Sequence, residues 1–257
     1  MSIFYIEKSK RNMLKPLVDN WNETMILSCI QGHMGEAYTD SLYKPLSVQM
    51  EVADFCFFAG KPNEELVRNK DAIKSKFIIM VSDSNEWNEL IEKVYPKNSK
   101  KVIRYAIKKE YDIFDKEKLQ DVVSKLDSQY ELKLFDSSIY KDALSEEWSK
   151  DLCSHYIDDK DFVNHGIGVA VYHKGKIVAG ASSYTVYNDG IEIEVDTNIE
   201  YRRRGLAYIA CAKLILECLG RNLYPSWDAQ NKGSVALAEK LGYHFDHEYI
   251  AYEVVWR

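Results

Sequence analysis

Apolar positions recur along the chain in two periods, and each switch between them predicts an element. Leu14, Leu17, Val18, Trp21, Met25 and Ile26 fall at helical spacing, which predicts an amphipathic helix over residues 12–30. Residues 31–40, with Gly32 and Gly35, read as a loop. The runs VQMEV and DFCFFAG within 47–60, KFIIMV at 76–81 and KVIRYAIK at 101–108 predict strands. Helices are predicted between them at 62–69, with Pro62 near its start, and at 84–94, with Ser84 or Asn85 as cap. A charged helix over 112–126 closes this half.

The second half opens on a strand, YELKLFD (130–136), followed by two short helices at 139–148 and 149–157. A meander comes next: GVAVYHKG (168–175), KIVAGASSYTVY (176–187) and GIEIEVDT from Gly190, joined at Lys174-Gly175 and Asn188-Asp189-Gly190. In its last strand Ile191, Ile193 and Val195 alternate with Glu192, Glu194 and Asp196, giving two unlike faces. A core helix is predicted over 208–219, a strand over 223–229, a helix over 231–241 ended by Gly242, and a final strand or hairpin over 243–256. The expected fold class is α+β with mixed sheets, in two domains, 1–128 and 129–257.

Composition narrows the partners. With 46% hydrophobic and 29% charged residues in 257, the chain is an ordinary globular protein. A net charge of -6 argues against nucleic acid and for cationic or neutral small ligands. The five cysteines are odd in number and contain no C-x-x-C pair, so they define neither a disulfide framework nor a zinc site, and they read as buried thiols in a reducing compartment. The histidines lack metal-ligand spacing, and no metal is expected. MSIFYIEKSKRNML has no apolar signal core, and no apolar run approaches spanning length. A cytoplasmic protein without a membrane partner is therefore expected.

The chemistry concentrates between residues 190 and 220. A two-faced strand runs into Arg202-Arg203-Arg204-Gly205-Leu206-Ala207 and then into a helix. A glycine turn at a helix start offers free backbone N–H groups and the positive end of the dipole, an arrangement suited to phosphate. The turn matches neither the dinucleotide glycine pattern nor the Walker pattern.

This stretch resembles the GNAT superfamily of N-acetyltransferases. Its Arg/Gln-x-x-Gly-x-Gly/Ala motif is matched by Arg202, Gly205 and Ala207. Its Asn-x-x-Ala/Ser-x-x-Leu…Gly-Phe/Tyr motif is matched by Asn231, Ser234, Leu237, Gly242 and Tyr243. The resemblance covers residues 130–256, and the run from IEIEVDT to AEKLGY is similar to a bacterial subfamily with an additional N-terminal domain, of the zwittermicin-resistance type. It implies the GNAT fold with splayed central strands. The first half closes strand, helix, strand, helix, strand, repeating the order of the second half without its motif, and so a smaller, degenerate GNAT-like α/β domain is expected there, one that walls the substrate cleft or forms a subunit contact, as in a homodimer.

It also implies acetyl-CoA as cosubstrate and a small-molecule primary amine as acceptor. The backbone of Val195, Asp196 and Thr197 would line the pantetheine arm. Arg202, Arg203, Arg204, Gly205, Leu206 and Ala207 would cradle the pyrophosphate, and Asn231 and Ser234 would contact the pantetheine or phosphate region. The Val195 N–H would polarise the thioester carbonyl. Glu192 and Glu194, sharing one face of the strand, are the candidate bases. The position where many members carry a tyrosine acid is Ala238 here. A CoA-binding protein without catalysis is the alternative that this alanine leaves open.

Overall fold

Trp87 is the largest side chain buried to completion, and the elements around it form the first of two compact units, Met1–Arg104 with Glu248–Arg257. This computed structural model describes residues 2–70 and 76–256. In chain order the unit holds β1 (Phe4–Tyr5), a 3-10 segment (Lys8–Leu17), α1 (Thr24–Ile30), β2 (Glu36–Thr39), β3 (Ser47–Val52), β4 (Phe55–Gly60), α2 (Glu64–Arg68), β5 (Phe77–Ser82), α3 (Asn85–Val94) and the first part of β6 (Ser99–Ile107).

Two expectations change here. The single helix over 12–30 is broken, because Pro16 sits within the 3-10 segment and α1 starts only at Thr24. The buried Arg11 ties the two pieces together, donating to the carbonyls of Ile6 at 3.3 Å and Cys29 at 3.1 Å. The loop assigned to 31–40 contains β2, which pairs with both β1 and β3.

The sheet order in this unit is β1-β2-β3-β4-β5-β13-β6, where β13 is the last strand of the chain (Phe245–Val255). β4 and β5 run parallel and stay paired from Phe55↔Ile79 to Phe58↔Ser82. β13 lies antiparallel on the other side of β5, from Ala251↔Val81 to Val255↔Phe77. Cys56, Phe58, Ile78 and Met80 of the sheet pack with Leu66 and Val67 of α2, Trp87 and Ile91 of α3, and Tyr252 and Val254 of β13. The Trp87 indole N–H also donates to the Gly60 carbonyl at 2.9 Å. Trp87→Ala is expected to cost about 3–5 kcal/mol in this unit, read as a lower denaturant midpoint, because it removes a fully buried ring and leaves that carbonyl unmatched.

The second unit, Tyr105–His247, contains the remaining elements. These are α4 (Lys116–Ser124), β7 (Tyr130–Leu134), α5 (Ser137–Leu144), a 3-10 turn (Lys150–Leu152), α6 (Asp159–His165), β8 (Gly168–His173), β9 (Lys176–Tyr187), β10 (Gly190–Thr197), a second 3-10 turn (Ile199–Tyr201), α7 (Leu206–Gly220), β11 (Tyr224–Ser226), β12 (Asp228–Ala229) and α8 (Lys232–Leu241). The helix expected over 149–157 is only the turn Lys150–Leu152, and α6 begins later, capped by Asp158. The strand expected over 223–229 is two: β11 pairs with β10, while β12 pairs with the end of β6 through Asp228↔Ala106.

The units do not divide at residues 128 and 129. α4 packs on α7 and so joins the second unit, whereas residues 248–257 join the first as a sheet strand. Sequence periodicity predicts a strand at the end of the chain but carries no record of its sheet partner.

Candidate active site

β7, β8, β9 and β10 form an antiparallel meander, and β11 adds to β10 in parallel. That last pairing is short: Gly190↔Tyr224, Ile191↔Pro225, Glu192↔Ser226. β10 continues to Thr197, held only by β9, so its second half has an edge with no strand against it among the described residues. Two hydrogen bonds show which backbone groups face that edge. Asp189 O accepts from Tyr224 N at 2.7 Å, and Asn198 N donates to Val178 O of β9 at 3.0 Å. By strand alternation the odd residues Ile193, Val195 and Thr197 direct N–H and C=O into the gap, and the even residues bond to β9. Thr197 is partly committed there: its N–H donates to the Asp196 carboxylate at 2.6 Å and its carbonyl accepts from Arg202 at 3.2 Å. Ile193 and Val195 are left to offer polar backbone to a guest.

The gap leads to the start of α7. This helix is apolar on nearly all sides, burying Leu206, Ile209, Ala210, Cys211, Ala212, Leu214, Ile215 and Cys218, and it packs on β8, β9 and β10. Its cap is Gly205, left-handed at φ 79°, with no side-chain cap bond. A Cβ built on Gly205 would meet nothing within 4 Å, so space is open beside the cap, and the first amides of this 15-residue helix receive no side-chain cap bond. Arg203 is also left-handed, at φ 61°.

The three arginines of this turn do different things. Arg202 reaches back to β10, bonding Thr197 O and lying 3.8 Å from the Asp196 carboxylate. Arg204 donates to Tyr130 Oη at 3.3 Å and to Glu200 O at 2.9 Å, with its guanidinium 4.8 Å from the Tyr201 ring centre. Arg203 is exposed and makes no hydrogen bond or ion pair among the described residues.

Glu194 pairs with Ser182 and Asp196 with Gly180, and directly opposite residues share a face. On that face Ser182 donates to Leu152 O at 2.5 Å, and a Cβ on Gly180 would stand 2.7 Å from Leu152, so the turn Lys150–Leu152 lies close over it. Glu194 is half-buried there. Burial raises the Asp196 pKa; the Thr197 amide and Arg202 pull it down and nearby Asp151 adds to the rise. Glu192 is 3% exposed and is the last residue before β10 and β11 part. Thr185 and Ser226, opposite it on either side, are both buried. Burial raises the pKa values of Tyr187, Tyr224 and Tyr243, and the Glu192 carboxylate adds to each rise. An extra residue in β9 between Thr185 and Ser183 shifts the register at this point, a bulge at the place where the strands separate.

The second motif is mainly structural. Asn231 caps α8, accepting from Ser234 N at 3.0 Å, and Ser234 Oγ accepts from the Trp227 indole at 3.0 Å. The Asn231 amide NH2 and the Ser234 hydroxyl hydrogen are the donors this pair can still offer a ligand. Gly242 ends α8 at φ 110°, with Tyr243 N bonding back to Ala238 O. Ala238 is fully buried, so its position presents no acid to a cleft. Tyr243 is buried as well and donates to Pro225 O at 2.6 Å. Cys211 and Cys218 are buried thiols, the latter pushed up to about 12 by desolvation, and neither is a nucleophile near neutrality. The described residues contain no group of three or more His, Cys, Asp or Glu that could hold a metal ion, and no helix long and apolar enough to cross a membrane.

The arginine motif thus lies between the end of β10 and the start of α7, while Asn231 and Ser234 lie at the start of α8. The residues that brace the arginine motif were not legible: Tyr130 and His173 lie far upstream, on strands that carry no motif.

A meander that parts from its parallel neighbour, followed by a glycine-led core helix, is the GNAT fold, and the protein is an N-acetyltransferase by class. The GNAT acetyltransferase family profile matches residues 15–252, and the chain belongs to that family. It is 28% identical over 205 residues to the uncharacterized N-acetyltransferase YdfB of Bacillus subtilis, covering 77% of this chain and 72% of that protein. The crystal structure of a GCN5-related N-acetyltransferase-like protein from Streptococcus suis matches 97% of this chain and 99% of its own, at TM-score 0.90 and 43% identity. A tandem GNAT protein from the clavulanic acid biosynthesis pathway covers 99% of this chain and 98% of its own at TM-score 0.58 and 9% identity, a likeness of fold alone.

The first unit keeps the order of the second without its gap. β4 and β5 stay zipped to Phe58↔Ser82, and the helix after β4 is five residues long with Asn63 capping it through Glu65 N. Among the described residues of this unit, β4 extends only two residues beyond its last pair with β5, and the start of α2 carries a side-chain cap.

Proposed function

We propose that the protein transfers an acetyl group from acetyl-CoA to a primary amine of a small molecule in the cytoplasm. The observation that carries this reading is the β10 edge, where Ile193 and Val195 present backbone to a gap that ends at the uncapped start of α7. The residues fit the cosubstrate. An amide-bearing arm can bond the edge as an added strand, and the amides after Gly205 suit its anionic end. Acetyl-CoA supplies the acetyl group as an activated thioester. Val195 N–H stabilises negative charge developing on the carbonyl oxygen. Glu194, half-buried on the face covered by Leu152, removes the proton that an ammonium must lose before it can attack. Glu192, sealed at the point of parting, is the inner candidate for the same proton. No tyrosine acid stands at Ala238, so the thiolate leaves without help from that position.

The full burial of Ala238 also favours a second reading, a CoA-binding protein without turnover. Release of free thiol from acetyl-CoA, followed with a panel of small primary amines, separates the two. Amine-dependent release is the expected result. Tight acetyl-CoA binding with no release across the panel would select the second reading. A melting temperature unmoved by acetyl-CoA at saturating concentration would remove both.

A further inference from the structure

We propose that the arginine turn is a braced device, in which Arg203 alone gives its charge to the bound anion and Arg204 is a positioning residue held by Tyr130, Tyr201 and His173. The inference rests on the reading that this turn faces the anionic end of CoA.

Three contacts hold the Arg204 guanidinium. It lies 4.8 Å from the centre of the Tyr201 ring, donates to Tyr130 Oη at 3.3 Å, and donates to the carbonyl of Glu200 at 2.9 Å. A planar fork is matched to such a stack with two acceptors, and lysine is not. The two tyrosines are themselves fixed by His173. Its Nδ1 is 2.9 Å from Tyr201 Oη, and its ring lies 5.2 Å from that of Tyr130, its partner across β7 and β8. A brace from two strands thus ends on the residue immediately before Gly205.

The brace has a reason in the backbone. Arg203 and Gly205 are both left-handed, at φ 61° and 79°, and a non-glycine residue in that region costs about 1 kcal/mol. The flanking residues must hold it. Arg202 is bound to the end of β10 on one side and Arg204 to the tyrosines on the other. Arg203, between two tethered neighbours, is exposed and carries a guanidinium with no partner among the described residues. The anion therefore meets one mobile positive charge above a row of fixed amides, and the other two arginines shape the row.

The test is calorimetric titration of CoA into wild type and four variants across a range of salt concentrations, with a melting curve to establish that each is folded. Arg203→Met is expected to weaken CoA binding about tenfold at low salt and to flatten its salt dependence, because an exposed ionic contact is what salt screens. Tyr130→Phe, Tyr201→Phe and Arg204→Lys keep every charge. Each is expected to weaken binding several-fold while leaving the wild-type salt dependence intact. Wild-type affinity in both tyrosine variants, or Arg203→Met with unchanged affinity or unchanged salt dependence, overturns the inference and leaves the functional reading standing. Wild type that binds no CoA overturns the functional reading, and the inference with it.

Discussion

Replacing Glu194 by Gln is expected to lower turnover at pH 7 by roughly 10²-fold, the usual contribution of a positioned general base, with CoA affinity unchanged. The sign of the pH dependence follows from the substrate. A small primary amine is an ammonium at neutrality, with a pKa near that of lysine, about 10.4, and only its neutral form attacks. The wild-type carboxylate removes the proton on the enzyme. The amide cannot, so the variant must draw on the small fraction of amine already neutral in solution. Its deficit should shrink as pH rises toward the amine's own pKa. Glu192→Gln should lose less turnover, since Glu192 is 3% exposed behind the point of parting. Steady-state rates from pH 6 to 10, with CoA binding measured alongside, check both statements. A deficit in Glu194→Gln that stays constant over that range would show the carboxylate to be structural.

Ending the chain before Glu248 is expected to leave the first unit unfolded. β13 is not a trailing edge there. It pairs with β5 along Ala251–Val255 and is followed in the sheet by β6. Tyr252 and Val254 are at most 1% exposed in the same core as Trp87 and Met80. Deletion removes both side chains and leaves β5 and β6 each with one unpaired edge, a loss comparable to the whole stability of a typical domain, about 5–15 kcal/mol. Insoluble product, or loss of the near-ultraviolet signal that a Trp87→Phe comparison assigns to Trp87, is the measurement. A soluble truncated chain with that signal intact would contradict the role assigned to β13.

Local pattern carried much of this architecture, and its failures share a cause. The meander, the arginine turn, α7 and the Gly242 stop are set by neighbours within a few residues of one another, and sequence reports them directly. The parting of β10 from β11 was legible only through the resemblance, because no residue between Ile191 and Thr197 states where the adjacent strand ends. Bonding patterns on either side of the strand, at Asp189 and Asn198, direct the Val195 backbone toward the gap by strand alternation. Pro16 is visible in the sequence, yet the apolar spacing from Leu14 to Ile26 outweighed it. The three arginines look alike as letters. Their separate roles depend on Tyr130 and on Tyr201 with its His173 support, contacts that span up to 74 positions. Asn231 and Ser234 match a binding motif and also cap and brace α8, so one pattern serves both readings.

The placement of β13 bears on how the protein is made. Residues 1–104 leave the ribosome with the slot between β5 and β6 still empty, and the whole of residues 105–247 must be synthesised before the strand that fills it appears. At about 5–20 residues per second that wait is roughly 7–30 s. Throughout it, Phe77–Ser82, an almost wholly apolar strand, presents an open edge, the kind of template on which nascent chains aggregate. The second unit has no such wait, since its sheet is built from strands that follow one another closely. The second unit can therefore pair its own strands as they emerge, while the first cannot close its sheet until residues 248–257 have been made.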